Sequence, residues 1–376
     1  MKQAKYLKKK IENGKPRIVE CFIDVFGFSR GAAQARVFCN WLNDLLIDGR
    51  LVGIPLHFRF LGIIDTVASA GFWSGTGAGL KSSTGGHGAW ASAKSLDIPS
   101  PVKNCVHMVA MHELRRNFPL DEIGNGGTLG GGRVQHAYPG AHSDVGGGYR
   151  PGDLGISVGD DSLKLSQIPL NHMLDCAIAT GAPIKRPQKI QGDYDPLAIH
   201  PNLAKAYAEF ISHATLAPRP IYEWLQTYLN WRWQVRDQFH TTNQVKRANQ
   251  VDRDILISFN QRLIDDAASI APAAPKPGTG GKLSTVTSFF AGARRKVVTS
   301  VLEPEASAVL ALAQRAAPTP LAYVNLFDGY VHDSLAGFNK PNLELTGYWR
   351  YRKIFIGTDE HTIASNEHAN TTSKLA

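Results

Sequence analysis

Residues 27–31 read GFSRG, a G-x-S-x-G sequence that could carry a nucleophilic serine. The residues before it, 18–26, are a near-continuous apolar run, typical of a strand buried on both faces of a parallel sheet. After it, apolar residues recur at helical spacing until Asp48-Gly49 ends the pattern. Strand, turn and helix in this order form a nucleophile elbow, which exposes a serine hydroxyl. We therefore predict that Ser29 is a nucleophile; the alternative is a glycine-flanked surface turn with a solvated serine.

Such an elbow needs small flanking residues and donors for an oxyanion. We expect Gly27 and Gly31 to provide the space. We expect the backbone N–H of Arg30, at the start of the helix, to be one oxyanion donor. A second donor belongs on a loop after an earlier strand, yet only 17 residues precede Ile18. The earlier strands are removed, supplied by another chain or replaced by later segments, and the second donor stays unassigned.

Two further strand ends carry polar residues. Residues 56–67 predict a strand that ends in Asp65, at the carboxyl edge where the active sites of α/β proteins lie. Residues 134–138 predict a short strand, and the loop after it contains His142, Asp144 and three glycines. A histidine held in such a loop fits the base of a catalytic triad. The alternative is a glycine-rich turn capped by Asp144.

Other histidines lie in less suggestive places. The spacing of apolar residues predicts a helix over 102–118, on which His107 and His112 are expected to make structural hydrogen bonds rather than take part in catalysis. Residues 323–338 and 345–357 are predicted to be strands, with a loop that carries His332.

These elements predict an α/β fold of the α/β-hydrolase type, with a mostly parallel sheet, flanking helices and a helical cap. Its first strands are not evident in the sequence. The predicted regions are a catalytic core at 1–190, a mostly helical cap at 191–322 with a Pro/Gly-rich linker at 271–282, strands returning to the core at 323–357, and a polar tail at 358–376.

Three segments have a second possible role. Residues 70–94 are a Gly/Ser-rich loop that could cover the site. The aromatic stretch 222–239 is either core or the lining of an acyl-chain pocket. The basic, apolar segment 288–302 is either a lid or a plain surface helix. Residues 2–13 predict a short basic helix.

The composition limits which classes of molecule the protein is expected to bind. Of the 376 residues 43% are hydrophobic, and the formal net charge is +9, which fits a phosphate-bearing partner or simply a basic face. The N-terminal lysines have no interleaved aromatics, which argues against nucleic acid. No metal-ligand spacing is evident, so no metal or cofactor is expected. No apolar signal core follows the basic N-terminus, so we expect a protein made in the cytoplasm without a signal peptide.

Three motifs in order, FGFSRGAAQAR, FLGIIDTVAS and HAYPGAHSDVGGGY, resemble the bacterial α/β-hydrolase family that contains the type VI secretion phospholipase effectors. The likeness covers roughly residues 17–185, with a second patch at 323–357. The family's usual first strand, with a D-G-T-type turn, is absent.

The resemblance implies a phospholipase A with Ser29 as nucleophile, Asp65 as acid and His142 as base. It leaves His332 as the rival base and Asp144 as the rival acid. It also implies a phospholipid membrane as substrate, a secretion spike protein and an immunity protein as partners, and action at the membrane or in the periplasm of a target bacterium. The competing hypothesis is a catalytically incomplete hydrolase that binds a membrane or a partner.

Overall fold

The computed structural model describes residues 2–14, 18–68, 93–116, 118–123, 131–187, 195–214, 221–270, 303–338, 347–356, 359–361 and 374–375. Several predicted segments lie wholly or mostly outside these residues, namely the loop at 70–94, the linker at 271–282, the basic segment at 288–302 and the tail from 358.

A mostly parallel sheet forms the centre of the described chain. The strands are β1 (Cys21–Phe28), β2 (Arg50–Leu51), β3 (Ile54–Ile64), β4 (Asn104–Ala110), β5 (Leu120–Asp121), β6 (Gly132–Tyr138), β7 (Ile354–Ile356), β8 (Asp359–His361) and β9 (Lys374–Leu375). The main sheet has the order β1-β3-β4-β6-β9 with parallel neighbours, and β2 pairs antiparallel with β3. A small sheet has the order β5-β7-β8.

Helices flank the main sheet on both faces. The helices are α1 (Lys2–Asn13), α2 (Arg30–Asp44), α3 (Ala93–Leu96), α4 (His142–Gly146), α5 (Gln167–Ala179), α6 (Pro201–His213), α7 (Ile221–Val235), α8 (Asn243–Arg247), α9 (Gln250–Ile270), α10 (Glu303–Arg315) and α11 (Leu321–Tyr330). On one face the small residues of α2 pack against Leu61 and Ile63 of β3. On the other, Met173 of α5 packs against Phe60 and Met108. The predicted α/β architecture is confirmed.

The largest hydrophobic core lies under the helices from α6 to α11. Trp224, Tyr228 and Trp231 of α7 are fully buried in it, so these aromatics are core residues. None of the described helices combines the length and the apolar character needed to cross a membrane.

The helix predicted over 102–118 is wrong, because residues 104–110 form β4. All but the first residue of β4 are buried, since neighbouring strands flank it and helices cover both faces. A strand buried on both faces loses the alternation of apolar and polar residues. Its valines then fall by chance at spacings that resemble a helix.

The strand predicted over 323–338 is also wrong, because residues 321–330 form α11. Its buried residues Ala322, Tyr323, Leu326 and Phe327 recur at helical spacing, although aromatic and β-branched residues nearby favoured a strand. Within 345–357 the described strand is limited to β7, and residues 347–349 form a single turn of 3-10 helix.

Candidate active site

Ser29 stands at the junction of β1 and α2 in a strained conformation. Its backbone angles are φ 59° and ψ −123°, which a residue with a side chain adopts only when its surroundings impose it. The Ser29 N–H donates to the carbonyl of Ile64 at 2.9 Å, and the Val67 N–H donates to the Ser29 carbonyl at 3.2 Å. These bonds tie the turn to both sides of Asp65. The Ser29 side chain is half-buried, so its hydroxyl is within reach of a bound molecule.

The two glycines of the motif differ in their surroundings. A Cβ on Gly27 would lie 2.3 Å from the carbonyl oxygen of Gly31 and 2.7 Å from the Cα of Ala32. A Cβ on Gly31 would meet nothing within 4 Å. Close approach of strand and helix therefore requires glycine at 27, whereas the expectation that Gly31 is needed for space is wrong.

Asp65 follows β3, the strand next to β1, and also has a positive φ, of 40°. Its side chain is fully buried. The Ala110 N–H donates to Oδ1 at 2.9 Å, and the guanidinium of Arg352 donates to Oδ1 at 3.0 Å and Oδ2 at 2.9 Å. Burial raises the pKa of Asp65, but Arg352 and His142 together lower it by more, so the carboxyl pKa lies well below its usual range. Asp65 is therefore an ionised acceptor at neutral pH.

His142 begins α4 and is buried beside Asp65. Its Nδ1 lies 2.6 Å from Asp65 Oδ2. Because an ionised carboxylate can only accept, Nδ1 carries the hydrogen and Nε2 keeps a lone pair in the neutral ring. The rings of Phe28 and Phe118 lie 4.5 Å and 5.1 Å from the imidazole, measured between centroids. This pair has the tautomer and the orientation that a general base requires.

A hydrogen bond and a close packing hold the backbone that carries His142. The His142 N–H donates to Glu113 Oε2 at 3.1 Å. Burial raises the pKa of Glu113, but Arg115 and nearby cations bring it down to about 2, so this side chain is also a carboxylate. A Cβ on Gly146 would lie 2.0 Å from the ring of Phe28. The glycine at this position therefore lets α4 approach the elbow.

Asp144 and His332, the rival acid and base, pair with each other. His332 Nδ1 lies 2.5 Å from Asp144 Oδ1, and its Nε2 lies 3.1 Å from the carbonyl of Asp153. The ring of Tyr149 stacks on the imidazole at 3.6 Å. Asp144 also accepts from the Ala141 N–H and the His332 N–H. Both nitrogens of His332 thus have protein partners, and the pair braces the loop that carries His142.

His107 and His112 occupy structural positions, on β4 and just after it. His107 Nε2 accepts from the Thr66 N–H at 3.2 Å, and its Nδ1 lies 2.8 Å from Gln135 Oε1. His112 Nδ1 accepts from the Gly140 N–H at 2.9 Å. Burial lowers the pKa of each histidine to about 3. Both rings are therefore neutral and fix the segments next to Asp65 and His142.

Of the three predicted residues, Asp65 and His142 are brought into direct contact, and Ser29 lies beside them through its backbone bonds and the Phe28 ring. Within the part of the chain that the structure describes, no hydrogen bond joins the Ser29 hydroxyl to His142. Such bonds often form only when substrate is bound. Arg30 is the first residue of α2, so its N–H has no acceptor within the helix.

Sequence reasoning missed Arg352 and Glu113, which contact Asp65 and His142. Arg352 lies 287 positions from Asp65, in a stretch predicted only as strand. The alternation of arginines with large aromatic residues in YWRYRKIF is the one signal that could have drawn attention to Arg352.

Residues 52–176 match the family described as T6SS, Phospholipase effector Tle1-like, catalytic domain. The matched range includes Asp65 and His142 and begins after Ser29. No curated protein matches the chain in sequence.

Two solved structures are similar to differing degrees. A crystal structure of an uncharacterized protein from Pseudomonas aeruginosa has a TM-score of 0.71 and 24% identity, over 96% of this chain and 61% of that one. The chain thus spans less than two thirds of that protein, and the similarity concerns the fold alone. The structure of the Tle1 effector bound to the VgrG spike has a TM-score of 0.31 and 20% identity, over 88% of this chain and 63% of that one, which is too low to indicate a shared fold. Residues 52–176, about a third of the chain, are thus similar to the catalytic domain of the Tle1-like type VI secretion phospholipase effectors.

Proposed function

We propose that the chain is a serine hydrolase of the phospholipase A type, which cleaves ester bonds of membrane phospholipids. The observation that carries the proposal is the buried hydrogen bond between Asp65 and His142, next to a serine in an elbow conformation. The family match supports the phospholipid as substrate.

The reaction would proceed through an acyl-enzyme. Nε2 of His142 takes the Ser29 proton while Oγ attacks the ester carbonyl, and the Arg30 N–H stabilises the oxyanion. The imidazolium then gives its proton to the leaving lysophospholipid oxygen as the ester bond breaks. Water, activated by the same imidazole, attacks the acyl-serine, and the fatty acid leaves as Ser29 regains its proton. Asp65 holds the tautomer and stabilises the imidazolium in both halves.

The family also suggests where the reaction takes place. We infer that the protein is an antibacterial effector that associates with a secretion spike, is delivered to a neighbouring bacterium and acts on its membrane. An immunity protein would protect the producing cell. The matched family is one of type VI secretion effectors, so a spike protein of that secretion system is the first partner to test.

The direct experiment measures fatty acid release from phosphatidylethanolamine and phosphatidylglycerol vesicles. We expect release by the purified chain and loss of release in Ser29→Ala, with an unchanged circular dichroism spectrum. Ser258→Ala, at an exposed serine on α9, is the matched control and should retain wild-type activity. Equal activity of Ser29→Ala and the wild type would end the proposal.

Exposed apolar side chains favour a second candidate, a catalytically incomplete module that binds a membrane or a partner. No residue of β1 is fully buried, although its sequence is that of a central strand. Phe22 of β1 is 49% exposed. Trp41, on the outer side of α2, is 62% exposed, and Leu45, just after α2, is 66% exposed. Large apolar side chains exposed in this way are candidates for contacts with a membrane or a partner.

Vesicle sedimentation distinguishes the two candidates. For the binding module, Ser29→Ala would bind vesicles as the wild type does, the binding would weaken with salt, and neither protein would release fatty acid. Trp41→Ser should weaken that binding. Fatty acid release that depends on Ser29 would exclude the second candidate.

A further inference from the structure

Arg352 makes the closest charged contact with the proposed catalytic acid. Its two terminal nitrogens donate to the two oxygens of Asp65 at 3.0 and 2.9 Å, a fork that fits the planar carboxylate. Its Nε donates to the Phe118 carbonyl at 3.0 Å, and the guanidinium is buried. Arginine in this geometry is held on both sides and cannot be replaced by lysine without loss of the fork.

The segment around Arg352 is fixed by the small sheet. The Leu120 N–H donates to the Lys353 carbonyl at 2.8 Å, and the Glu122 N–H donates to the Phe355 carbonyl at 2.9 Å. Residues far along the chain are thereby held beside the end of β3. The position of the guanidinium is thus set by backbone hydrogen bonds as well as by its own side chain.

Arg352 completes the set of donors to Asp65. A carboxylate offers about four acceptor positions. Oδ1 accepts from the Ala110 N–H and from Arg352, and Oδ2 accepts from His142 and from Arg352. Without Arg352 each oxygen keeps a single donor, and the plane of the carboxylate is held less firmly about its bond to Cβ.

We propose that Arg352 is a positioning residue for hydrolysis, which fixes the plane of the Asp65 carboxylate and thereby the ring of His142. The inference rests on the proposed function and deepens it. Arg352 acts through Asp65 and does not touch the reacting atoms.

The contact has two separable effects on the reaction. The fork fixes geometry, so its loss lowers the rate. The positive charge offsets the charge of Asp65 and thus weakens the attraction that Asp65 exerts on the imidazolium, so its loss favours the protonated base. In the part of the chain that the structure describes, the other charged or titratable groups near Asp65, His142 and Arg352 include Glu113, Arg115, His107 and Glu122, and they remain in every variant below.

Three variants separate these effects. We expect Arg352→Gln to lower kcat by about 10- to 100-fold, because small misplacements of a catalytic group have costs of this size. Its KM should stay within about twofold, since no substrate contact is lost. The acid limb of its pH–rate profile should move up by about one pH unit, the effect of a removed nearby cation. Arg352→Lys keeps the charge but not the fork, so kcat should fall while the acid limb stays in place.

Arg350→Gln is the matched control. Arg350 is a buried arginine of the same segment that pairs with Glu305, so its loss should lower stability and leave kcat and the pH profile as in the wild type. If Arg352→Gln behaves like Arg350→Gln, Arg352 is merely structural and the inference is overturned. Equal kcat in Arg352→Gln and the wild type would also overturn it.

A measurement without turnover separates this inference from the proposed function. In Ser29→Ala, the Nδ1 proton of His142 should give a far-downfield NMR resonance, because it lies in a buried hydrogen bond to a carboxylate. Arg352→Gln in that background should shift or broaden the resonance. If the wild type releases no fatty acid, the proposed function fails, and this resonance still decides the role of Arg352. An unaltered resonance would overturn the role.

Discussion

Replacement of Gly27 by alanine tests the close approach of β1 and α2 behind the elbow. The added Cβ would lie 2.3 Å from the Gly31 carbonyl oxygen, where ordinary contacts begin at 3.4 Å. The nearest atoms belong to backbone, so no side chain can rotate away. The first turn of α2 must therefore move by about 1 Å, and with it the Ser29 hydroxyl and the Arg30 N–H.

In Gly27→Ala, the destabilisation by overpacking should exceed the stabilisation that comes from replacing glycine in a strand. Overpacking of this kind costs about 1–3 kcal/mol in the free energy of unfolding. Replacing glycine in a strand returns about 0.5–1 kcal/mol, so the net loss should be about 1–2 kcal/mol. The shift of about 1 Å should lower kcat by roughly 100-fold.

Urea unfolding and fatty acid release measure these two effects, with Gly31→Ala as the control. A Cβ on Gly31 meets nothing within 4 Å, and alanine suits a helical first turn better than glycine by up to about 1 kcal/mol. Gly31→Ala should therefore unfold at the same or a higher urea concentration than the wild type. If Gly27→Ala matches the wild type in both stability and kcat, the packing argument is refuted.

Three further predictions concern buried titratable groups. Burial raises the pKa of Glu122 to about 7, so the stability that its protonated form contributes below pH 4.5 is lost as the pH rises to about 7, by about 3 kcal/mol. In urea unfolding, Glu122→Gln should therefore be more stable than the wild type at pH 8 and equal to it at pH 4. Equal stability of the two proteins at both pH values would contradict this. Burial lowers the pKa of His112 to about 3, so the protein loses stability as the pH falls below 6.5, by about 2 kcal/mol at pH 5. His112→Asn, which can still accept from the Gly140 N–H, should lose about 2 kcal/mol less stability than the wild type between pH 7 and pH 5. An equal loss in both proteins would contradict this prediction. His332→Asn should lower the free energy of unfolding by about 1–3 kcal/mol and keep kcat within about tenfold of the wild type. His142→Asn should lower kcat by at least about 1000-fold. A larger loss of kcat in His332→Asn than in His142→Asn would make His332 the base.

The elbow could be predicted because its signals are local. An apolar strand, two glycines around a serine and an amphipathic helix follow one another within about 30 residues, and each part favours the same structure. Asp65 and His142 each follow a predicted strand. Because parallel strands end at the same edge of a sheet, β3 and β6, which lie on either side of β4, place both residues at that edge.

The errors arose where tertiary contacts override local patterns. In β4 complete burial removed the alternation that identifies a strand, and in α11 the helical spacing of buried residues was obscured by their aromatic character. The sequence around Arg352 does not identify its partner, because Asp65 lies 287 positions away and the small sheet that holds Arg352 joins two distant short strands.

The central claim is that Ser29 is an activated nucleophile, and covalent labelling by a fluorophosphonate tests it most directly. The reagent reacts with serines whose hydroxyl is activated by a neighbouring base, and mass spectrometry of the digested protein locates the adduct. We predict a single adduct on Ser29, which is lost in His142→Asn and retained in Ser258→Ala. An intact wild-type protein that remains unlabelled, or that carries the adduct on another serine, would contradict the account.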